Sequence, residues 1–285
     1  MSASVATSER SQHTAVTVIT PAEGWVAPRL REAWEHRDLA WFFALRDIKV
    51  KYAQTALGAL WTVFQPIALM LVFTFAFRKL GHVTTGSIPY PLFVLSGLVF
   101  WTFFSRVVAL GSDSLVANAP LLTKTACPRL LMPFFPVLSA LFDFGITLML
   151  VLVLAAGYGD YPTWRIVLLP VFLLIGCALS LGLTLTLSAI NVRYRDVRNA
   201  LPFVLQALLF LSPIAYPLNR LGPRWEHVLS LNPLVGVING FRWALLGATR
   251  PTASSVAIAI AISLVLLLIG LAYFSRVERV FADVA

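Results

Sequence analysis

The sequence predicts an all-α membrane protein: six transmembrane helices, an N-terminal amphipathic interfacial helix, and re-entrant half-helices before the last span. Three observations carry that prediction. Hydrophobic residues make up 59% of the 285 and charged residues 12%, half the share of about 25% usual in soluble domains. Six apolar segments are long enough, or nearly so, to cross a hydrocarbon core about 30 Å thick at about 1.5 Å per residue. A basic stretch with apolar residues at helical spacing stands immediately before the first of them.

Residues 1–28 are polar and rich in Ser, Thr and Ala, with no apolar core of a signal peptide, and are expected to form a flexible cytoplasmic tail. Residues 29–52 read as the interfacial helix. At 100° per residue Leu30, Trp34, Trp41, Leu45, Ile48 and Tyr52 fall on one stripe, whereas Arg31, Glu35, Arg46 and Lys49 lie elsewhere. Leu39, Phe42 and Phe43 interrupt the polar face, which predicts contacts on two sides. The membrane domain then occupies 53–285. Its spans are Gly58–Phe77, Ile88–Leu110, Leu131–Ala156, Ile166–Ile190, Ala200–Tyr216 and Val256–Phe274. The fifth is short and carries Pro202 and Pro213, so it is expected inside the bundle, where neighbours satisfy the freed backbone. The piece from Pro233 to Gly247 is too short to cross and contains Arg242, which suits a re-entrant segment. With the N-terminus inside, cytoplasmic parts hold 14 Lys and Arg against 7 in the outer parts. That bias puts both termini in the cytoplasm.

A charge of +9 is also found in nucleic-acid binders, but the basic residues sit at helix ends and in short loops rather than in a block with stacking aromatics, and a nucleic-acid partner is not expected. Cys127 and Cys177 are far apart and His13, His36, His82 and His227 are scattered, so neither a disulfide framework nor a metal site is predicted. There is no G-x-x-x-x-G-K-[ST] phosphate loop and no nucleophile–base set. The chain is therefore expected to be no enzyme, with no catalytic residue and no cofactor of its own. Asp143 lies mid-span, where an ionisable side chain is costly. A structural pair within the bundle, with Arg106 the candidate, is favoured over a proton relay, because no second buried acid or His continues a chain. Gln65 reads as an interhelical hydrogen bond.

The stretch from Arg46 to Phe77 joins R-D-I-K-V-K-Y to Leu57-Gly58, Leu60-Trp61 and Gln65-Pro66. It is followed in order by N-V-R-Y-R-D-V-R-N from Asn191 to Asn199, by Ser212-Pro213-Ile214, and by Asn232-Pro233-Leu234 with Phe241-Arg242. This ordered set resembles ABC-2 type permeases of the polysaccharide, O-antigen and teichoic acid exporter family, from about Leu39 onward. The resemblance implies a bacterial inner-membrane subunit that forms a homodimer with two copies of a separate ABC ATPase, which binds the ATP and Mg. It implies a lipid-linked glycan as cargo and half-helices dipping into the outer leaflet after the fifth span.

Particular residues follow from that implication. A short helix expected over Ser114–Leu122, including Leu121, with Lys124 and Arg129 after it, resembles the family's coupling helix, which seats in the ATPase; an ordinary connector is the alternative. Arg193, Arg195 and Asp196 match its cytoplasmic turn, where positive-inside anchoring explains the arginines equally well. Sugar rings stack their C–H faces on aromatics. Trp61 and Phe64, Tyr90, Phe100, Trp101 and Phe104, and Phe210 and Tyr216 are accordingly candidates for a substrate channel, with lipid or core packing as the competing role. Arg37, Arg46, Lys49 and Lys51 stand where a pyrophosphate or anionic membrane lipids would be met. The alternatives that stay open are export of a small molecule or lipid, an enzyme acting on polyprenyl lipids from Asp113, Asp160 or Glu226, and ion-driven transport through Asp143.

Overall fold

The computed structural model describes residues 34–53, 58, 60–124 and 128–282. All regular structure among them is helical: α1 Arg37–Ala53, α2 Leu60–Phe73, α3 Tyr90–Ala117, α4 Ala119–Lys124, α5 Leu131–Tyr158, α6 Leu169–Arg193, α7 Asp196–Leu211, α8 Pro223–Ser230, α9 Pro233–Leu246 and α10 Ala253–Ala282. The tail over 1–28, the first residues of the predicted interfacial helix and Cys127 lie outside the described residues, as do the side chains of Leu121 and Lys124.

Local chemistry sets the helix ends. Proline occupies the first turn of α3, α6, α8 and α9, where its missing N–H is no loss. Asn232 caps α9 by accepting from the Leu234 N–H at 3.0 Å, and Gly247, at φ 63°, ends it in the left-handed conformation. Beyond α2 the chain continues as a wider π turn over Thr74–Leu80.

Among the described residues, five helical segments are long and apolar enough to cross a membrane: Leu60–Leu80, Tyr90–Ala117, Leu131–Tyr158, Trp164–Arg193 and Ala253–Glu278. The fifth predicted span differs. Its helix, α7, starts earlier, at Asp196, and stops at Leu211 after 16 residues, about 24 Å at 1.5 Å per residue. Ser212 then turns extended (φ −102°, ψ 147°). The cause is Pro213: a residue preceding proline is driven out of the helical region.

Helix α3 is the centre of the bundle. In its most apolar 18-residue window 78% of residues are buried, against 17% in α2 and 22% in α10, so α2 and α10 present most of their surface outward. The main core joins α3 to α5, α6 and α9 through Leu92, Phe100, Phe103, Phe144, Leu179 and Phe241. A second cluster lies where α1 meets the bundle and includes Phe43, Leu115, Met132, Phe135, Leu185 and Phe274. Helices α6 and α10 touch backbone to backbone. A Cβ placed on Gly182 would lie 2.5 Å from the Leu267 nitrogen, and one on Gly270 would lie 2.6 Å from the Gly182 carbonyl oxygen. Such small-residue contacts replace the hydrophobic drive that is missing between helices in lipid.

Helix α1 packs on α5 by a different stripe from the one its sequence suggests. Ala40, Phe43 and Ala44 are buried, whereas Trp34, Trp41 and Leu45 are exposed. Two alanines let the backbones approach, and the Phe43 ring meets Phe135 at 6.0 Å. Of the predicted stripe, Trp34, Trp41 and Leu45 thus face away from the protein while Tyr52 reaches Asp143, and Phe43, which interrupted the predicted polar face, supplies the second contact side against α5.

Candidate functional site

The first polar centre is a charge cluster joining four helices. Asp143 of α5, 8% exposed, accepts a hydrogen bond from Lys51 Nζ at 2.8 Å and another from the Tyr52 hydroxyl, both at the end of α1. Arg106 Nε of α3 lies 3.0 Å from the same carboxylate, and Arg106 Nη2 lies 3.7 Å from Asp47. The Arg106 Nε–H does not point along a hydrogen-bond direction, so that contact is an ion pair only. Lys51 also reaches Thr62 of α2 at 3.1 Å. Two acids and two bases balance, which is how charge is tolerated at this depth. Burial, more than any neighbour, pulls the Lys51 ammonium below its ordinary range; the Asp143 hydrogen bond opposes this and the Arg106 charge adds to it. Burial, with the bond to Asp143, pushes the Tyr52 phenol up to about 12. The pairing of Asp143 with Arg106 is the one the sequence pointed to. Lys51, assigned there to pyrophosphate or lipid, has its charge engaged inside the protein. Arg37 and Lys49 are exposed; Arg46 lies over Phe43 and donates to Asn118 Oδ1 at 3.1 Å.

Asn118 marks the second feature, the hinge between α3 and α4. Ser114 is not the start of a separate short helix, as the sequence suggested. It is buried within α3, its hydroxyl bonded to the Gly111 carbonyl oxygen at 2.7 Å. The chain breaks at Asn118, whose side chain returns to the Ser114 carbonyl at 2.8 Å, and only α4 forms a separate short element. Arg129 donates to the Glu278 carbonyl at 3.1 Å, tying the start of α5 to the end of α10. Arg193, Arg195 and Asp196 are exposed, with Arg193 over the Tyr194 ring at 5.4 Å. Asn191 donates to the Ser112 carbonyl at 3.1 Å and fixes this turn beside the end of α3.

The third centre was not foreseen as one. Arg242 of α9 is 1% exposed. Its Nε donates to the Phe93 carbonyl at 3.1 Å, its Nη2 to the Ile214 carbonyl at 2.8 Å, and its Nη1 to the Pro213 carbonyl. The guanidinium stands 3.6 Å from the Phe93 ring centre. Tyr90 donates to the next carbonyl, Ala215, at 2.6 Å. The Pro213, Ile214 and Ala215 carbonyls just beyond the α7 break are thus all satisfied by side chains. Gly97 makes room, since a Cβ there would lie 2.5 Å from Arg242 Nη2. The signal was present in two motifs read separately: a proline break that strands carbonyls, and an arginine inside an apolar run that needs acceptors.

The aromatic candidates divide. Tyr90, Phe100, Trp101 and Phe104 are buried in the α3 core, at 2%, 0%, 6% and 1% exposure, whereas Trp61, Phe64 and Phe210 are 49%, 58% and 50% exposed; Tyr216 is half-buried and donates to the Phe210 carbonyl at 2.7 Å. Trp61 and Phe64 stack edge to face at 5.6 Å. Gln65 is exposed beside them and makes no interhelical bond among the described residues. The Trp61–Phe64 face of α2 is therefore open.

A polytopic helical bundle with balanced intramembrane charges, a satisfied helix break and an open apolar face has the makings of a membrane transport subunit. The chain belongs to the ABC-2 type transporter family, whose profile matches residues 39–246. It is 33% identical over 257 residues to the O-antigen export system permease protein RfbA of Myxococcus xanthus, covering 89% of this chain and 98% of that one. Identity is 25% to the Klebsiella pneumoniae protein of the same description, over 87% and 95% of the two chains. It is 28% to the polysialic acid transport protein KpsM of Escherichia coli, over 82% and 92%.

Proposed function

We propose that this chain is the membrane-spanning subunit of an exporter that carries a polyprenyl-pyrophosphate-linked polysaccharide across a bacterial inner membrane, driven by a separate ATPase. The observation that carries this reading is end-to-end similarity to permeases described as exporting O-antigen and polysialic acid. Two copies face each other, with two ATPase subunits on the cytoplasmic side. The open face of Trp61, Phe64 and Phe210 suits a second copy and a glycan sliding between them, because aromatic faces bind sugar rings without one tight stop. Helix α7 with the Ser212–Tyr216 segment makes the sixth crossing, α8 and α9 stay in the outer leaflet, and both termini are cytoplasmic. Helix α1 lies in the interface, its outward Trp34, Trp41 and Leu45 in the headgroups. Arg37 and Lys49, and Arg46 beside its Asn118 contact, meet pyrophosphate or anionic lipid. Helix α4, with Leu121 and Lys124, Arg129 and the Arg193–Asp196 turn receive the ATPase. The charge cluster gives its push a route, since α1, α3 and α5 meet at Asp143 and Lys51 ties in α2 through Thr62.

The test is deletion of the gene followed by surface-glycan analysis and affinity purification of the tagged chain in mild detergent. The proposal expects loss of one surface polysaccharide, accumulation of its lipid-linked form inside, and recovery of an ABC ATPase. Unchanged glycan with new sensitivity to small toxic compounds would move the cargo to small molecules or lipids.

A further inference from the structure

At the end of the bundle opposite α1, the turn before α3, the loop after α7, helix α8 and the α9–α10 connection enclose an open cleft of about 620 Å³. That volume lies within the range of small-molecule sites, about 300–1,000 Å³. Its lining is polar and basic: Arg220 and Arg250 are exposed to it, and Arg242 closes its floor. Glu226 is the only acid in the lining among the described residues. Among the described residues no carboxylate lies within 4.0 Å of any of these three guanidinium groups. Arg242 spends three of its five N–H donors on backbone carbonyls, so its main contribution to the floor is charge. Arg220 donates to Thr84 at the rim. Arg250 lies over one ring, Trp243, together with Arg165, at 5.8 and 5.7 Å. The half-buried Asn239 amide lines the cleft and has no partner within the chain among the described residues. Basic residues on this side run against the positive-inside bias, which leaves their charge in need of another reason.

We infer that this cleft binds a phosphate group carried next to hydroxyls, as in a sugar phosphate or a glycerol-phosphate headgroup. Arg220 and Arg250 take the phosphate by charge-assisted bonds, while Asn239 and Glu226 take the hydroxyls. The assignment goes beyond the export reading and holds whichever cargo is moved.

The test uses the full chain in phosphatidylcholine nanodiscs, with glucose 1-phosphate and glucose as soluble probes, and a parallel preparation containing phosphatidylglycerol. Saturable binding of glucose 1-phosphate, at least tenfold weaker in Arg220→Gln/Arg250→Gln and not competed by glucose, supports a glycosyl phosphate as ligand. Retention of phosphatidylglycerol in native mass spectrometry by the parent but not by that double variant, without sugar-phosphate binding, supports the lipid headgroup. Both arginines are exposed, so the variant is expected to melt with the parent. Asn239→Ala should weaken whichever ligand binds. Binding of neither probe, or equal binding by parent and double variant, overturns the assignment.

Discussion

Asp143→Ala removes the carboxylate on which α1, α3 and α5 converge. Lys51 Nζ and Arg106 Nε, now 2.8 and 3.0 Å from one Asp143 oxygen, are left as two neighbouring cations. Breaking a fully buried pair in this way costs about 3–5 kcal/mol. Here the Lys51 and Arg106 side chains each keep 26% of their exposure, and water relieves part of the repulsion, so about 2 kcal/mol is expected. In a chain of this size that corresponds to a melting temperature roughly 4–8 °C lower, read from the loss of the monodisperse peak after heating in detergent. Lys51→Ala alone leaves the Asp143–Arg106 pair and should cost about 1 kcal/mol. The double variant should cost less than the sum of the two, with a coupling of about 1 kcal/mol. Lys49→Ala, two residues away and exposed, should melt with the parent. Additive single effects in the double variant, or a parental melting temperature for Asp143→Ala, would refute the cluster as the joint between α1 and the bundle.

Three further perturbations have defined outcomes. Arg242→Leu strands the Phe93, Pro213 and Ile214 carbonyls, each at a cost of about 1–3 kcal/mol, and should abolish monodisperse protein; Arg242→Lys should rescue it poorly, because one ammonium cannot span acceptors on two elements. Gly182→Val puts side-chain atoms into the Leu266–Leu267 backbone and should force α6 and α10 apart, seen as proteolysis of α10 in membranes. Trp61→Ala with Phe64→Ala touches an open face, so the melting temperature of the chain should hold while glycan export and recovery of a two-copy complex fall.

What the sequence made legible follows from what periodicity and composition can encode. The five long spans were visible because about twenty apolar residues in a row have few other uses. Asp143 was visible because a lone charge in such a run demands a partner, and Arg106, also expected to face inward, was the candidate. The end of α7 was harder. Composition continues apolar past Leu211, and only the steric effect of Pro213 on Ser212 stops the helix. The face by which α1 meets the bundle was not legible because Ala40 and Ala44 have small side chains and low hydrophobic weight; their value lies in close approach, while bulkier Trp34 and Trp41 turn outward. Ser114 was assigned to a separate helix because the break at Asn118 comes from one side chain closing on the preceding turn. The Arg242 centre depends on tertiary contact between α9, α3 and the loop after α7, which no local pattern contains.

On the proposed function, this permease moves its cargo only when a second protein supplies the energy. Proteoliposomes carrying the purified chain, the ATPase recovered with it, or both, loaded with fluorescent lipid-linked glycan and ATP, test this most directly. Translocation confined to vesicles with both proteins, and lost on ATP depletion, is the predicted result; nucleotide hydrolysis or equal translocation by the chain alone would contradict it.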